Sequence, residues 1–504
     1  MSRIRSLPPT LAILLLGASP ALAQTTAAEA TALQTAIHGF FDRMVGVPFV
    51  SDMLTPKVTA EGDHLKLELA WTELGPIEGY KMGPGKITAN AKPLSGGRWA
   101  LDDVRIPDKL AGGGEITPAG ATKPVPIGFN LAIAKQTGSM IFDPTLATTS
   151  SSDSIWNGYA LRVDSVQGTQ ISSIDAVEAH NVWQPRGDGR MDMRGEVIFS
   201  NYSITTPTPG GTPVKVTMNR VTQKAQLKNF AMAALGALLQ DAITLGRAQM
   251  APDAKPGAPQ DNPEIKAMAR RAIDVLATIM DGLEGDTTVS GLRVAAMGAD
   301  IGIKTISIGT KFGAEDGALT ASFPMLLEGI EAADLIKGPL GEVMPRKIAI
   351  TPTAGGISKK ALVALAQRGI DGKIVGDAAW QAAFLKLLAE NPVTLGFEDL
   401  AVDFGVAKLE GGGELEITSP SEITARAEFH VTGLDALIRR ANAAPELKQV
   451  APVLIFLKGI GEQDGKDTVW RIAYEDGKTT INDTDLSDIM PGKDAGPGPV
   501  KKKR

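Results

Sequence analysis

Apolar positions along this chain recur in two periods. From Thr26 to Met44 they fall at helical spacing (Ala32, Leu33, Ala36, Ile37, Phe40, Phe41, Met44), which predicts an amphipathic helix. From His64 onward the period shortens to two. Leu65, Leu67, Leu69 and Trp71 share one face of the run His64 to Thr72, with Lys66, Glu68 and Ala70 on the other, as expected of a half-buried antiparallel strand. Further β-rich runs cover Lys86 to Leu94, Trp99 to Ile106, Pro126 to Ala134, Tyr159 to Val166, Met191 to Ser203 and Val214 to Val221. Gly96-Gly97, Gly112-Gly113-Gly114 and Gly187-Asp188-Gly189 read as turns between them. An apolar helix is expected from about Phe230 to Met250.

Residues 251–262 (APDAKPGAPQDN) are rich in Pro and Ala without periodicity and read as a linker. Asn262, Pro263 and Glu264 then have the chemistry of a helix start. The following helix puts Ile265, Met268, Ala269, Ala272, Ile273, Leu276, Ile279, Met280 and Leu283 on a core-facing stripe. Beyond it, strands are expected at Thr288 to Ala296, Ile301 to Lys311, Ala318 to Phe323 and Lys347 to Thr351, and helices at Ser358 to Arg368 and Asp377 to Glu390. Strict alternation follows in Leu400, Val402, Phe404, Val406 and in Ile423, Ala425, Ala427, Phe429, Val431. At ~1.5 to 3 kcal/mol per buried apolar side chain, a one-residue slip would forfeit several kcal/mol per strand, so register is fixed. Thr432-Gly433-Leu434-Asp435 resembles a capping box opening a helix to about Asn442, with a second apolar helix near Pro452 to Leu457. Asp476-Gly477 marks a hairpin between Trp470 to Glu475 and Lys478 to Asn482.

The fold class this predicts is α+β: extended antiparallel β-sheets packed against amphipathic helices. Lys109-Leu110-Ala111-Gly112-Gly113-Gly114-Glu115-Ile116 echoes Lys408-Leu409-Glu410-Gly411-Gly412-Gly413-Glu414-Leu415, which either a duplicated two-domain arrangement or a coincidence of Gly-rich turns would produce. The expected organisation is a signal peptide (1–23), an N-terminal α+β domain (24–250), the linker (251–262), a C-terminal α+β domain (263–490) and a flexible basic tail (491–504).

The signal peptide rests on Arg3 and Arg5, the apolar stretch Leu11 to Leu16, and the small-x-small site Ala21-Leu22-Ala23. That apolar stretch is about half the ~20 residues a spanning helix needs. Removing Arg3 and Arg5 leaves 49 basic residues against 57 acidic ones, a net charge of −8. An exported, net-acidic chain without a transmembrane segment after cleavage follows, placed in the periplasm, with secretion as the other destination. Zero cysteines exclude disulfides, thiol catalysis, Cys-ligated metals and a lipid-modified N-terminus. Aromatics at 5%, with 4 Tyr and 6 Trp, supply few platforms for stacking bases or sugars, and an outer-membrane barrel would carry aromatic girdles. Nucleic acid is therefore not an expected partner.

Chemistry is sparse. His38, His64, His180 and His430 stand alone in sequence, with no pair at metal-ligand spacing. No serine-hydrolase elbow, acyl-enzyme motif or Walker loop occurs. Gly459-Ile460-Gly461 with Gly465 departs from dinucleotide-binding spacing and reads as a helix end. Asp483, Asp485 and Asp488 suit either calcium or the N-terminus of a helix beginning near Asp485, and the second is favoured because the loop lacks a glycine at its sixth position. Arg186-Gly187-Asp188 reads as a turn, and Lys501 to Arg504 as a solvated tail that would suit anionic lipid headgroups. Accordingly no catalytic, cofactor-binding or metal residue is assigned, no cofactor is expected, and the protein is read as a non-enzyme.

Val431 to Leu437 after a strict strand, and Trp470-Arg471-Ile472 leading through Asp476-Gly477 to Ile481-Asn482, Leu486 and Pro491-Gly492, resemble a family of alphaproteobacterial envelope proteins catalogued only as a domain of unknown function. The resembling stretch runs from about Pro392 to Pro491 and is more distantly similar to AsmA-like periplasmic β-rich proteins that handle or shield lipids. The resemblance implies periplasmic location and a curved antiparallel sheet, with no catalytic residue to transfer. The resulting expectation is an envelope protein holding a lipid or apolar ligand on a sheet face or interdomain groove. An envelope-protein partner and an exported hydrolase with a dispersed site are the alternatives.

Overall fold

The computed structural model describes residues 25–485, except 45–54, 73, 78–79, 117–123, 146–147, 167, 209–210, 239–240, 242–262, 297, 332–340, 342–343 and 420–421. The expected signal peptide, linker and basic tail, the distal part of the helix expected to Met250, and Asp488 all lie outside the described residues.

The described residues open with α1 (Ala27–Met44), fixed by a capping box not read from the sequence above. Thr26 Oγ1 accepts from Glu29 N at 3.2 Å and Glu29 Oε2 accepts from Thr26 N at 2.8 Å. Strands β1 (Thr55–Glu61), β2 (His64–Trp71), β3 (Leu74–Ile77), β4 (Tyr80–Met82), β5 (Gly85–Pro93), β6 (Trp99–Arg105) and β7 (Lys109–Ile116) follow. Ala30, Leu33 and Ile37 of α1 close a core over Leu65, Leu67 and Leu69 of β2, Ala89 and Ala91 of β5, and Trp99 and Leu101 of β6. The period-two stripe of β2 therefore faces inward as the sequence predicts, and Trp71 completes it.

Seven long strands come next: β8 (Val125–Asp143), β9 (Thr148–Ser165), β10 (Gly168–Pro185), β11 (Met191–Thr206), β12 (Val214–Phe230), β13 (Gly282–Ala296) and β14 (Ala299–Glu315). At about 3.4 Å per residue, strands of 15 to 19 residues reach roughly 50 to 65 Å. β8 branches the sheet, pairing β6 through Ser139–Phe142 and β7 through Val125–Ala132 on one side and β9 on the other. Each strand then pairs the next in chain order, including β12 with β13 across the expected linker (Val221↔Val289).

The remaining strands are β15 (Ala318–Ser322), β16 (Met325–Glu331), β17 (Lys347–Gly355), β18 (Val393–Asp403), β19 (Lys408–Ser419), β20 (Glu422–Thr432), β21 (Glu462–Asp464), β22 (Asp467–Glu475), β23 (Lys478–Ile481) and β24 (Thr484–Asp485). Between them lie α2 (Pro263–Thr278), α3 (Lys359–Ile370), α4 (Asp377–Glu390), α5 (Leu434–Ala443) and α6 (Ala451–Ile460).

All described strands belong to one 24-stranded antiparallel sheet. This overturns the α+β expectation and the duplicated two-domain arrangement attached to it: the chain is mostly β, built on a single continuous sheet, with helices as local covers. The physical reason is strand length. Several expected strands are the apolar-alternating cores of much longer ones, and β10, with polar residues on both faces, has no clear alternation to read.

Smaller corrections follow the same logic. Gly112 to Gly114 form the middle of β7, not a turn, and Gly411 to Gly413 do the same in β19. α2 stops at Thr278, so Leu283 is a strand residue, and Leu276, placed on the core stripe, is 61% exposed. Phe230 ends β12 instead of opening a helix, while 232–238 are helical. Phe404 and Val406 lie beyond the end of β18. Thr432 does not cap α5: Gly433 holds that position and the Thr432 hydroxyl donates to Asp467 Oδ1 at 2.6 Å. Asp485 ends the short strand β24, not a helix start.

Candidate functional site

Register divides the sheet into two faces with different chemistry. In β18, β19, β20 and β22 the pairs Leu395↔Leu415↔Ala425↔Tyr474 and Phe397↔Gly413↔Ala427↔Ile472 run straight across four strands, so these eight residues share one face. They line an open trough of about 330 Å³. No charged side chain stands in either cross-strand row, and the one polar group is the Tyr474 hydroxyl.

Glycine shapes this floor. Gly411 lies opposite Phe429 and Gly413 opposite Phe397, and the two rings stack over the glycine strand with centroids 6.0 Å apart and planes at 23°. A Cβ on Gly411 would stand 2.5 Å from the Glu428 carbonyl oxygen and 2.7 Å from Phe429 Cδ1. Close ring approach therefore requires glycine at this position. Gly112 of β7 likewise faces Phe129 of β8, so both copies of the sequence echo put an aromatic ring opposite their first glycine.

Helices cover the apolar face only in part. α5 and α6 pack over one end, where Leu434, Ile438, Leu454 and Ile460 meet Val431, Phe429 and Trp470. Trp470 Nε1 donates to the Leu457 carbonyl at 2.9 Å. α2 covers β10 to β12 through Val275, with Trp183, Leu227 and Phe230, and its C-terminal carbonyl at Thr278 accepts from Arg190, which also donates to the Asn229 carbonyl at 2.6 Å. Between these covers the same face shows solvent Leu395, Tyr474, Met325, Ile308 and Phe312, each between 37% and 52% exposed. The pairings Ile308↔Met325↔Ile350 carry that face across β14, β16 and β17.

The opposite face is charged. Beneath the trough, Thr394, Glu398, Glu414, Arg426, Glu428 and Arg471 line a depression of about 570 Å³. Farther along, His180, Arg194, Glu196, Lys224, Glu284 and Lys311 line another of about 550 Å³. Opposite charges meet across strands there, with Lys224–Glu196 at 3.5 Å and Lys228–Glu284 at 2.5 Å. The Lys228 ammonium holds the Glu284 carboxyl below its usual range.

Three of the four isolated histidines find carboxylates: His180 with Asp153 at 2.6 Å, His64 with Asp63 at 3.0 Å and His430 with Glu428 at 2.9 Å. His38 sits half-buried on α1. Among the described residues no hydroxyl hydrogen-bonds any of these rings, and no group of three His, Asp or Glu is arranged to hold a metal. The Arg-Gly-Asp tripeptide forms the hairpin between β10 and β11, closed by Arg186 N donating to the Arg190 carbonyl at 2.6 Å. Gly459 and Gly461 end α6. Among the described residues, no helix is long and apolar enough to cross a membrane.

The apolar row of β20 is the one the alternation picks out, whereas Leu395 and Phe397 of β18 lie before the run Leu400 to Val406 that alternates in sequence, and the juxtaposition with β22 and the Gly411–Gly413 floor are not legible locally. The signal for the latter is an aromatic 17 or 18 residues beyond the first glycine of each triplet, Phe129 after Gly112 and Phe429 after Gly411. No family model, curated protein or solved structure matches this chain.

Proposed function

We propose that this is an exported, non-enzymatic protein of the cell envelope that holds a lipid or another apolar chain along the uncovered apolar sheet face. The observation that carries this reading is the trough floor of Leu395, Phe397, Leu415, Ala425, Ala427, Ile472 and Tyr474, apolar across four strands and open to solvent. Monomeric soluble proteins rarely leave contiguous apolar surface of this kind without a use. Its volume falls at the small end of ligand pockets, and it runs across four strands, about 14 Å at ~4.8 Å per strand, farther than the roughly 7 Å it spans along each strand. The signal-like N-terminus and the resemblance of the C-terminal stretch to an envelope family support periplasmic placement as part of the same proposal.

cis-Parinaric acid is a direct probe, because its fluorescence rises in an apolar environment. Delipidated wild-type protein is expected to enhance it saturably. Ala425→Trp, which fills the trough from its floor, should weaken binding about tenfold or more, the equivalent of one lost apolar contact set. Glu416→Gln, on the opposite face and outside the trough, should leave it unchanged. Equal binding by wild type and Ala425→Trp would remove the trough as the site.

A further inference from the structure

The hairpin of α5 and α6 carries a second apolar surface, separate from the trough. Val450, Val453, Ile455, Phe456 and Leu457 are each between 36% and 55% exposed, the densest run of exposed large apolar side chains in the described chain. The inward side of the hairpin is already used: Ala451 is buried and Leu454 and Ile460 pack in the core with Trp470. The outward residues therefore have no partner within the described fold. Their spacing puts Val450, Val453, Phe456 and Leu457 on one stripe of the helix.

Charge chooses the occupant. Residues 434–460 contain Arg439, Arg440, Lys448 and Lys458 against Asp435 and Glu446, a local net charge of +2 in a chain whose formal charge is −6. Asp435 is moreover committed to Lys458, at 2.5 Å. A helix of 10 residues is about 15 Å long, half the hydrocarbon thickness, so it cannot span a bilayer but can lie within its interface. Bulky apolar residues flanked by arginine and lysine are what such interfacial helices present to anionic lipid.

We infer that α6 docks the protein onto the surface of an anionic phospholipid bilayer, with Val453, Phe456 and Leu457 inserted among the lipids and Arg439 and Lys448 against the headgroups. This surface does not depend on what occupies the trough.

The cysteine-free chain makes the test clean. Phe456→Cys introduces a single thiol on an exposed position, and labelling it with an environment-sensitive nitrobenzoxadiazole dye reports its surroundings. With vesicles of phosphatidylcholine and phosphatidylglycerol the emission should shift to the blue and intensify, and this should weaken as salt is raised. The same dye on Asp316→Cys, in the turn between β14 and β15, should not respond. In co-sedimentation with the same vesicles, unlabelled Val453→Asp and the double variant Arg439→Glu, Lys448→Glu should each lose at least about tenfold in partitioning, while still binding cis-parinaric acid like the wild type. No response of the Phe456→Cys label to vesicles overturns the inference. So does a blue shift that appears without vesicles as protein concentration rises, since that assigns the surface to a second copy of the chain.

Discussion

Gly411 and Gly413 do opposite work from Gly412, although the three are contiguous. A Cβ on Gly411 or Gly413 meets the backbone or side chains of β20 at 2.5 to 2.8 Å, whereas on Gly412 the nearest atom is the Phe397 carbonyl oxygen at 3.3 Å. Gly411→Ala and Gly413→Ala should each destabilise by about 1 to 3 kcal/mol as overpacked positions, and Gly412→Ala by less, measured as shifts in the urea midpoint. Equal costs at all three would show that the rings do not rest on the strand as described. Asp192 makes a different residue-scale claim. Its carboxylate accepts from Asn229 N at 2.7 Å and from Arg186 Nε at 3.1 Å, and the backbone donor first, then the guanidinium, hold its carboxyl below the ordinary range. Because the folded value lies below the unfolded one, this stability is present above roughly pH 4 and is lost as pH falls through the folded value. Asp192→Asn should therefore lower the melting temperature at neutral pH, and the gap to wild type should close in acid. A gap independent of pH would refute this role.

At the scale of single elements, α1 rests on its capping box. Thr26→Ala should cost about 1 kcal/mol and speed amide exchange in the first turn of the helix, with little effect on β18 to β22. Which elements are legible in the sequence follows from how many faces are buried. β2 and β20, apolar on one side and polar on the other, alternate cleanly, and α4 has the bounds its pattern predicts. The Asp476-Gly477 hairpin is legible because both residues adopt positive φ (53° and 74°), which those residue types tolerate. β10 is not legible, since its apolar residues fall on both faces, Ile174, Ala176 and Val182 on one and Ile171, Val177, Ala179 and Trp183 on the other, and neither face is fully buried. Its strand state comes from the two neighbours that pair it along nearly its whole length. The glycine strands β7 and β19 fail for the complementary reason: glycine signals a turn locally, and only an aromatic from the next strand makes it a strand residue.

Across the whole molecule, the sheet is assembled almost entirely from neighbours in chain order, so most pairings close over short loops. A sheet of this breadth has far more apolar face than the helices among the described residues can cover, and this mismatch leaves the trough open. The α+β expectation failed here because sequence periodicity reports which side of a strand is apolar but not whether a helix covers it or how far the sheet continues. Likewise, the candidate site was only partly visible: the row of β20 was apparent, but Leu395 and Phe397 of β18, the residues of β22 and the charged reverse face emerge only from register. The measurement that tests the central claim most directly is photocrosslinking of delipidated protein with a diazirine-bearing fatty acid, followed by peptide mapping. The account predicts adducts concentrated on Leu395, Leu415, Ile472, Tyr474 and their neighbours in β18 to β22, competed by unlabelled fatty acid. Adducts scattered over both sheet faces, or confined to the charged side around Glu414 and Arg426, would contradict it.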